Sequence, residues 1–268
     1  MRRARLDAEL VRRGLARSRE HAAQLVHAGR VSVAGMPAQK PATAVSAADP
    51  VVVASDNAED DWASRGAHKL IGALDAFTDV TVSGARCLDA GASTGGFTDV
   101  LLRRGAAQVV CVDVGYGQLV WRLRTDDRVR VLDRTNVRTL TVDDIGGPVD
   151  LVVADLSFIS LRLVLPALLG CATPEANLVL MVKPQFEVGK DNLGAGGVVR
   201  DPALRAGAVL DVVTAARSLG LGLAGCVASP LPGPSGNVEF FVRLRTDADR
   251  DADADREVVE AAVASGPA

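Results

Sequence analysis

The chain has 268 residues, 48% hydrophobic and 3% aromatic, enough for a small module beside a larger domain. No apolar run approaches the roughly 18–20 uncharged residues that a membrane span needs. Asp7, Glu9, Arg12 and Arg13 interrupt any apolar stretch after the basic N-terminus, so no export signal is expected and a cytoplasmic location is. The formal net charge of −3 hides a segregation: residues 1–40 hold nine Lys/Arg against three acids, and residues from Thr246 onward hold seven acids against two arginines. A basic head on an acidic protein points to a polyanionic partner at that end.

Leu6, Leu10, Val11 and Leu15, then Ala22, Ala23, Leu25 and Val26, recur at helical spacing on either side of RGLARSRE. This predicts two short helices, the second capped by Ser18 and stopped at Gly29. The stretch RVSVAGMPAQKPATAVSAADPVVVA alternates apolar and polar residues around Gly35 and Pro41, the pattern of short strands joined by turns. Residues 1–58 therefore read as a compact α/β module, and residues 59–64 as an acidic linker that Trp62 docks onto a neighbour.

Residues 65–246 alternate strands and helices. Strands are predicted at 86–90, 108–113, 129–133, 149–154, 177–182, 223–229 and 237–244, and helices at about 66–77, 97–104, 117–125, 161–170 and 202–219. That is a doubly wound, Rossmann-like α/β fold. Its last two strands flank the turn-rich SPLPGPSG and are expected as an antiparallel pair at an edge. Residues 247–268 form an acidic tail, and DADRDADADR at 247–256 is low-complexity, so disorder or a frayed helix is expected there. Cys87, Cys111, Cys171 and Cys226 lack C-x-x-C spacing, and His21, His27 and His68 have no ligand spacing to them; buried reduced thiols and no metal are expected.

Chemistry collects where the strands end. CLDAGASTGGFT at 87–98 delivers Asp89 and Gly91 to the carboxyl edge of the sheet, followed by Ala92, Ser93, Thr94, Gly95, Gly96, Phe97 and Thr98. Gly95 and Gly96 would let the backbone approach a ligand that any Cβ would obstruct. The glycines fall as G-x-x-x-G-G rather than G-x-G-x-x-G, which disfavours a dinucleotide and suits a nucleoside cofactor without pyrophosphate, with S-adenosylmethionine leading; a merely tight turn is the alternative. Asp113, 22 residues after Gly91, ends the second strand as the expected ribose ligand, with Val114 beside it. Asp133 and Asn136 are placed either to bracket an adenine or to make a turn or helix cap. Asp155 and Lys183 end the fourth and fifth strands, and Lys69 and Glu239 join them if the seventh strand returns beside the fifth. Two bases and two acids around one crevice make either a catalytic set or structural ion pairs.

The order Lys, Asp, Lys, Glu on SRGAHKL, ADLSFIS, VKPQFEVG and GPSGNVEFF, together with DAGASTGGFT and DVGYGQL, resembles the TlyA or haemolysin A family. Its catalytic part is similar to the FtsJ/RrmJ ribose 2′-O-methyltransferases, and LDAELVRRGLARSREHAAQLVHAGRVSVAG resembles an S4 RNA-binding domain. The resemblance covers nearly all of residues 1–245; the acidic tail and Asp60-Asp61 depart from it. It implies a seven-stranded S-adenosylmethionine-dependent domain that methylates a cytidine 2′-oxygen of 16S or 23S ribosomal RNA, or both. Ribosomal subunits are the implied partner, and a monomer is expected. Lys183 would act as the base or, kept charged by its acids, would stabilise the developing alkoxide while Asp155 accepts the proton or orients the methyl donor. Arg3, Arg5, Arg17, Ser18, Arg19, Arg30 and Lys40 would touch RNA, with Arg65 and Lys190 on the catalytic side. The glycine-rich loop Glu187 to Gly197 could close over a flipped nucleotide. The competing readings are a non-catalytic RNA-binding or ribosome-assembly factor, a membrane-active haemolysin and a nicotinamide dehydrogenase.

Overall fold

The computed structural model describes residues 3–16, 18–54, 62–233, 236–249 and 251–266. Arg17 and linker residues 59–61, named above, lie outside the described residues.

The N-terminal elements are short: β1 (Arg3–Arg5), α1 (Leu6–Arg12), α2 (Arg19–His27), β2 (Val31–Val33), β3 (Met36–Pro37), β4 (Ala44–Ser46) and β5 (Val51–Val53); glycine and proline cluster at 29–50, around β2, β3 and β4. Ser18 caps α2 as expected, its side chain accepting the His21 amide at 3.1 Å. β1 pairs with β4, and β2 lies between β3 and β5. Leu6, Leu10, Ala22, Leu25, Val26, Val31 and Val45 fill a small core. Ion pairs supplement it: Asp7 holds Arg5 and Arg19, and Glu9 holds Arg12 and Arg13.

The larger domain runs α3 (Gly66–Ala76), β6 (Arg86–Ala90), α4 (Gly96–Arg103), β7 (Gln108–Val112), α5 (Trp121–Arg124), β8 (Val129–Leu132), α6 (Val142–Ile145), β9 (Val149–Ala154), α7 (Leu165–Gly170), β10 (Ala172–Val182), α8 (Pro184–Glu187), α9 (Pro202–Ser218), β11 (Gly222–Ala228), β12 (Phe240–Arg245) and α10 (Ala252–Ser265). Its seven-stranded sheet has the order β11-β12-β10-β9-β6-β7-β8. The five strands β10, β9, β6, β7 and β8 pair in parallel, and β12 inserts antiparallel between β10 and β11, so the seventh strand does return beside the fifth.

Alternation along the central strands explains their near-continuous apolar runs. Leu88, Val110, Val152, Leu180 and Val242 face the core under α7, α9 and α10, whereas Cys87, Val109, Leu151, Val179 and Phe241 face α3 and α4. The chain leaves β6 toward β7 on one side and reaches β9 on the other, which opens a crevice at the carboxyl ends of β6 and β9.

Two expectations need correction. The helix predicted over 117–125 is confined to Trp121–Arg124, because the preceding loop is held by Gly115 N–H donating to Asp113 and Gly117 N–H donating to Asp133. The tail is neither disordered nor frayed over its described part: Asp251 caps α10 by accepting the Asp253 and Ala254 amides. Asp253 and Asp255 sit in the first turn, where the helix dipole favours acids, and Asp255 pairs with Arg217 of α9. Val259, Ala262 and Val263 are buried in the main core.

Candidate functional site

The cradle after β6 is shaped first by the protein's own packing. Gly91 has φ +87, and a Cβ there would stand 2.8 Å from the Asp155 carbonyl oxygen, so glycine lets the ends of β6 and β9 meet. Gly95 and Gly96 have close neighbours within the protein itself. A Cβ at Gly95 would strike Leu123 and Leu119 side chains at 2.4 and 2.7 Å, and one at Gly96 would reach Ser64 Oγ at 2.3 Å and Ala67 N at 3.0 Å. Their small size serves the approach of α4 to α3 and α5, and Gly96 also lines a cavity at the crevice.

Two adjoining cavities open at the crevice. The larger, about 530 Å³, is lined by Gly91, Ser93, Asp113, Val114, Gln118 and Asn136 on one side and by Asp155, Leu156, Ser157, Phe158 and Ile159 on the other. The smaller, about 230 Å³, is lined by Ser64, Arg65, Gly66, Lys69, Ala92, Thr94, Gly96 and Phe97, and shares Gly91, Ser93 and Asp155 with the first. Asp113 accepts the Ser93 and Gly115 amides at 2.8 and 2.7 Å, which fixes its carboxylate at the rim of the larger cavity.

Asp89, Gly95, Thr98 and Asp133 do not line either cavity. Asp89 is fully buried, accepting from Thr98 Oγ at 2.6 Å, and Asp133 is taken up by Arg124 at 3.0 Å. Asn136 lines the larger cavity and caps the short 3-10 turn that follows it, accepting the Arg138 amide.

Four charged side chains form two pairs. Lys183 Nζ lies 2.6 Å from Asp155 Oδ1 and donates to Ser157 Oγ at 2.9 Å; Lys69 Nζ donates to Glu239 Oε2 at 2.5 Å. Glu239 is fully buried and Lys69 and Lys183 nearly so, whereas the Asp155 side chain remains 24% exposed toward the cavities. Lys69 and Asp155 line the smaller cavity together; Lys183 reaches the crevice through Asp155 and Ser157.

Sequence reasoning passed over Ser157 and Phe158, although ADLSFIS was quoted for its aspartate. Phe158 is 91% exposed with φ +64, an outlier for a bulky residue and the kind of strain that collects at working sites. An aromatic three residues after a strand-end acid was the available signal. Gln118, which lines the larger cavity, was missed as well, because loop residues carry no periodicity.

The expected RNA contacts divide by availability. Arg3, Lys40, Arg65 and Lys190 are exposed; Arg5, Ser18 and Arg19 are exposed as well, but the two arginines share Asp7 and Ser18 is the α2 cap, while Arg30 donates to the Ala54 carbonyl. The end of the linker is tied to α4: Ala63 N–H and the Arg122 and Arg103 guanidiniums all donate to Asp99, and Arg103 also covers the Trp62 ring at 4.0 Å. The loop from Glu187 holds two short 3-10 turns and is pinned at its far end by Asn237, which donates to the Gly197 carbonyl and accepts the Val199 amide. Among the described residues no group of His, Cys, Asp and Glu could hold a metal ion, and no helix is long and apolar enough to cross a membrane.

Residues 62–246 match the FtsJ-like methyltransferase family and residues 4–51 the S4 domain. A Mycobacterium tuberculosis protein named 16S/23S rRNA (cytidine-2′-O)-methyltransferase TlyA is 63% identical over 268 residues, covering 99% of each chain. Hemolysin A of Brachyspira hyodysenteriae is 32% identical over 90% of this chain and 99% of its own. A solved structure from Streptococcus thermophilus, described as a candidate hemolysin, matches with TM-score 0.74 and 37% identity over 98% of this chain and 96% of that one.

Proposed function

The chain belongs to the TlyA family of FtsJ-like methyltransferases, and from that premise we propose that it methylates a cytidine ribose 2′-oxygen of ribosomal RNA with S-adenosylmethionine. The observation that carries the proposal is the shared wall of the two cavities: Asp155, beside Lys183, borders both. One space can hold a methyl donor and the other a sugar hydroxyl, with the ion pair between them.

The larger cavity fits the cofactor. Its volume of about 530 Å³ lies within the range of small-molecule sites, and Val112, Val137, Leu156 and Ile159 supply apolar walls for a nucleoside. Asp113 would hold the ribose hydroxyls, since each carboxylate oxygen keeps lone-pair capacity beyond the amide that it accepts. Asn136 would stand near the base. When bound, S-adenosylmethionine supplies an electrophilic methyl group on a positively charged sulfur.

The smaller cavity, with Arg65 and Lys69 on its wall, suits a sugar–phosphate. A ribose hydroxyl is a weak nucleophile that must be aligned and relieved of its proton. An ammonium has three N–H donors; Lys183 donates one to Ser157, is ion-paired with Asp155 and has donor capacity left for a substrate oxygen. Lys183 therefore stabilises the alkoxide as it forms, and Asp155, the partly exposed carboxylate, accepts the proton. Lys69 and Glu239 neutralise one another behind the smaller cavity and orient its floor.

Lys183→Ala should lower methyl transfer by roughly 100- to 10,000-fold, with cofactor affinity by calorimetry changed less than about threefold. Its partner Asp155 can rehydrate, so the variant should fold. Lys69→Ala is a poorer probe, because it strands the buried Glu239 charge at a cost of about 3–5 kcal/mol. Full turnover by Lys183→Ala at saturating cofactor would overturn the assignment.

A further inference from the structure

We propose that Glu187 is a positioning residue for this reaction: from the segment after β10, it locks the loop Ser157–Ser160 in the conformation that places Ser157 on Lys183 and Phe158 at the cavity mouth. The proposal rests on the methyltransferase reading above and extends it to a group that does not line either cavity.

The loop after β9 has to turn sharply to pass from Ala154 to the 3-10 turn at Leu161–Leu163, and Phe158 takes positive φ in doing so. Such strain persists only where the surroundings over-determine it. At its start the loop is fastened by Asp155 N–H donating to the Ala90 carbonyl at 3.1 Å and by Lys183 donating to Ser157. At its end the fastening is one carboxylate. Glu187 accepts from Ser160 Oγ at 2.5 Å and from Leu161 N–H at 2.7 Å, and Arg162 Nε lies 3.4 Å away.

These partners all offer hydrogens, and only a carboxylate presents acceptors to every one of them. Glu187 sits four residues after Lys183, at the end of α8, so the catalytic lysine and the clamp belong to one short rigid piece of chain. Phe186 on that piece also meets the Phe158 ring at 5.2 Å between centroids. Burial pushes the Glu187 carboxyl upward, opposed by the hydrogen bonds from Ser160 and Leu161 and by Arg162. A carboxyl is kept there at a desolvation cost, in a place where an apolar side chain would suffice for packing alone.

The test compares wild type, Glu187→Ala, Glu187→Gln and Ser160→Ala as full chains, using methyl transfer to unmodified ribosomal subunits, cofactor calorimetry and peptide-resolved hydrogen exchange. At saturating cofactor Glu187→Ala should lose about 10- to 100-fold in kcat, cofactor binding should weaken because Leu156, Ser157, Phe158 and Ile159 wall its cavity, and exchange in residues 156–163 should quicken while that of β6 and β10 does not. Glu187→Gln should recover part of the loss by presenting its oxygen to Leu161 N–H, and Ser160→Ala should fall between wild type and Glu187→Ala. Unchanged kcat in folded Glu187→Ala, or slow exchange retained in 156–163, overturns the proposal. If Glu187→Ala does not fold, Ser160→Ala decides: wild-type kcat and exchange in that variant overturn it too. Absence of methyl transfer by wild type would instead defeat the functional reading, so the two failures are distinguishable.

Discussion

Asp89 shows how a single buried residue can set a pH dependence at the head of the cradle. Its carboxyl is pushed up to about 7, chiefly by burial; the Thr98 hydroxyl opposes the shift, and Asp155 and Asp113 add to it. An unfolded aspartate titrates near ~3.9, so between about pH 4 and 7 the folded chain holds more protons than the unfolded one. Stability therefore falls as pH rises through that window, and the penalty is complete above pH 7. Asp89→Asn should flatten this decline, by on the order of a few kcal/mol, in urea unfolding between pH 5 and 8; a decline equal to that of wild type would contradict the account. The N-terminal module has the opposite sign. Asp7 and Glu9 are held down to about 2 by their arginines, so their contribution is present above the ordinary carboxylate range and is lost as pH falls toward 2.

Among the elements, α10 is the one that composition concealed. The reading of 247–256 as low-complexity ended before Val259, Ala262 and Val263, whose helical spacing makes the buried stripe. Val259→Ala should cost roughly 1–3 kcal/mol, seen as a lower urea midpoint with unchanged slope, whereas the exposed Val258→Ala should change stability by less than about 0.5 kcal/mol. Equal effects would mean that the helix does not pack as described. The strands of the larger sheet were legible because burial on both faces writes long apolar runs into the sequence. The reason for Gly96 was not, since it depends on where α3 crosses α4, a contact between segments about 30 residues apart. The same holds for Asp133, whose partner Arg124 ends α5, and for Glu187, which read only as the start of a glycine-rich loop.

At the scale of the molecule, the order Lys, Asp, Lys, Glu could be read as one site because the seventh strand was expected beside the fifth, and that topology does bring the pairs to one crevice. How the basic module meets the larger domain was not legible. Gly35 lies so close to the Leu119 carbonyl that a Cβ would stand 2.5 Å from it, and Asp99 fastens the linker end through Ala63. Among the basic residues, exposed Lys40 is the clean test of the electrostatic role. Lys40→Ala should weaken binding to ribosomal subunits and reduce the slope of log affinity against log salt by about 1, with kcat at saturating subunits unchanged; an unaltered slope would remove Lys40 from the interface. The most direct measurement is transfer of labelled methyl from S-adenosylmethionine to purified ribosomal subunits lacking the modification, followed by mapping of the label. The account predicts incorporation at a cytidine 2′-oxygen that disappears with Lys183→Ala; tight binding of cofactor and subunits without any incorporation would contradict it and favour a non-catalytic assembly factor.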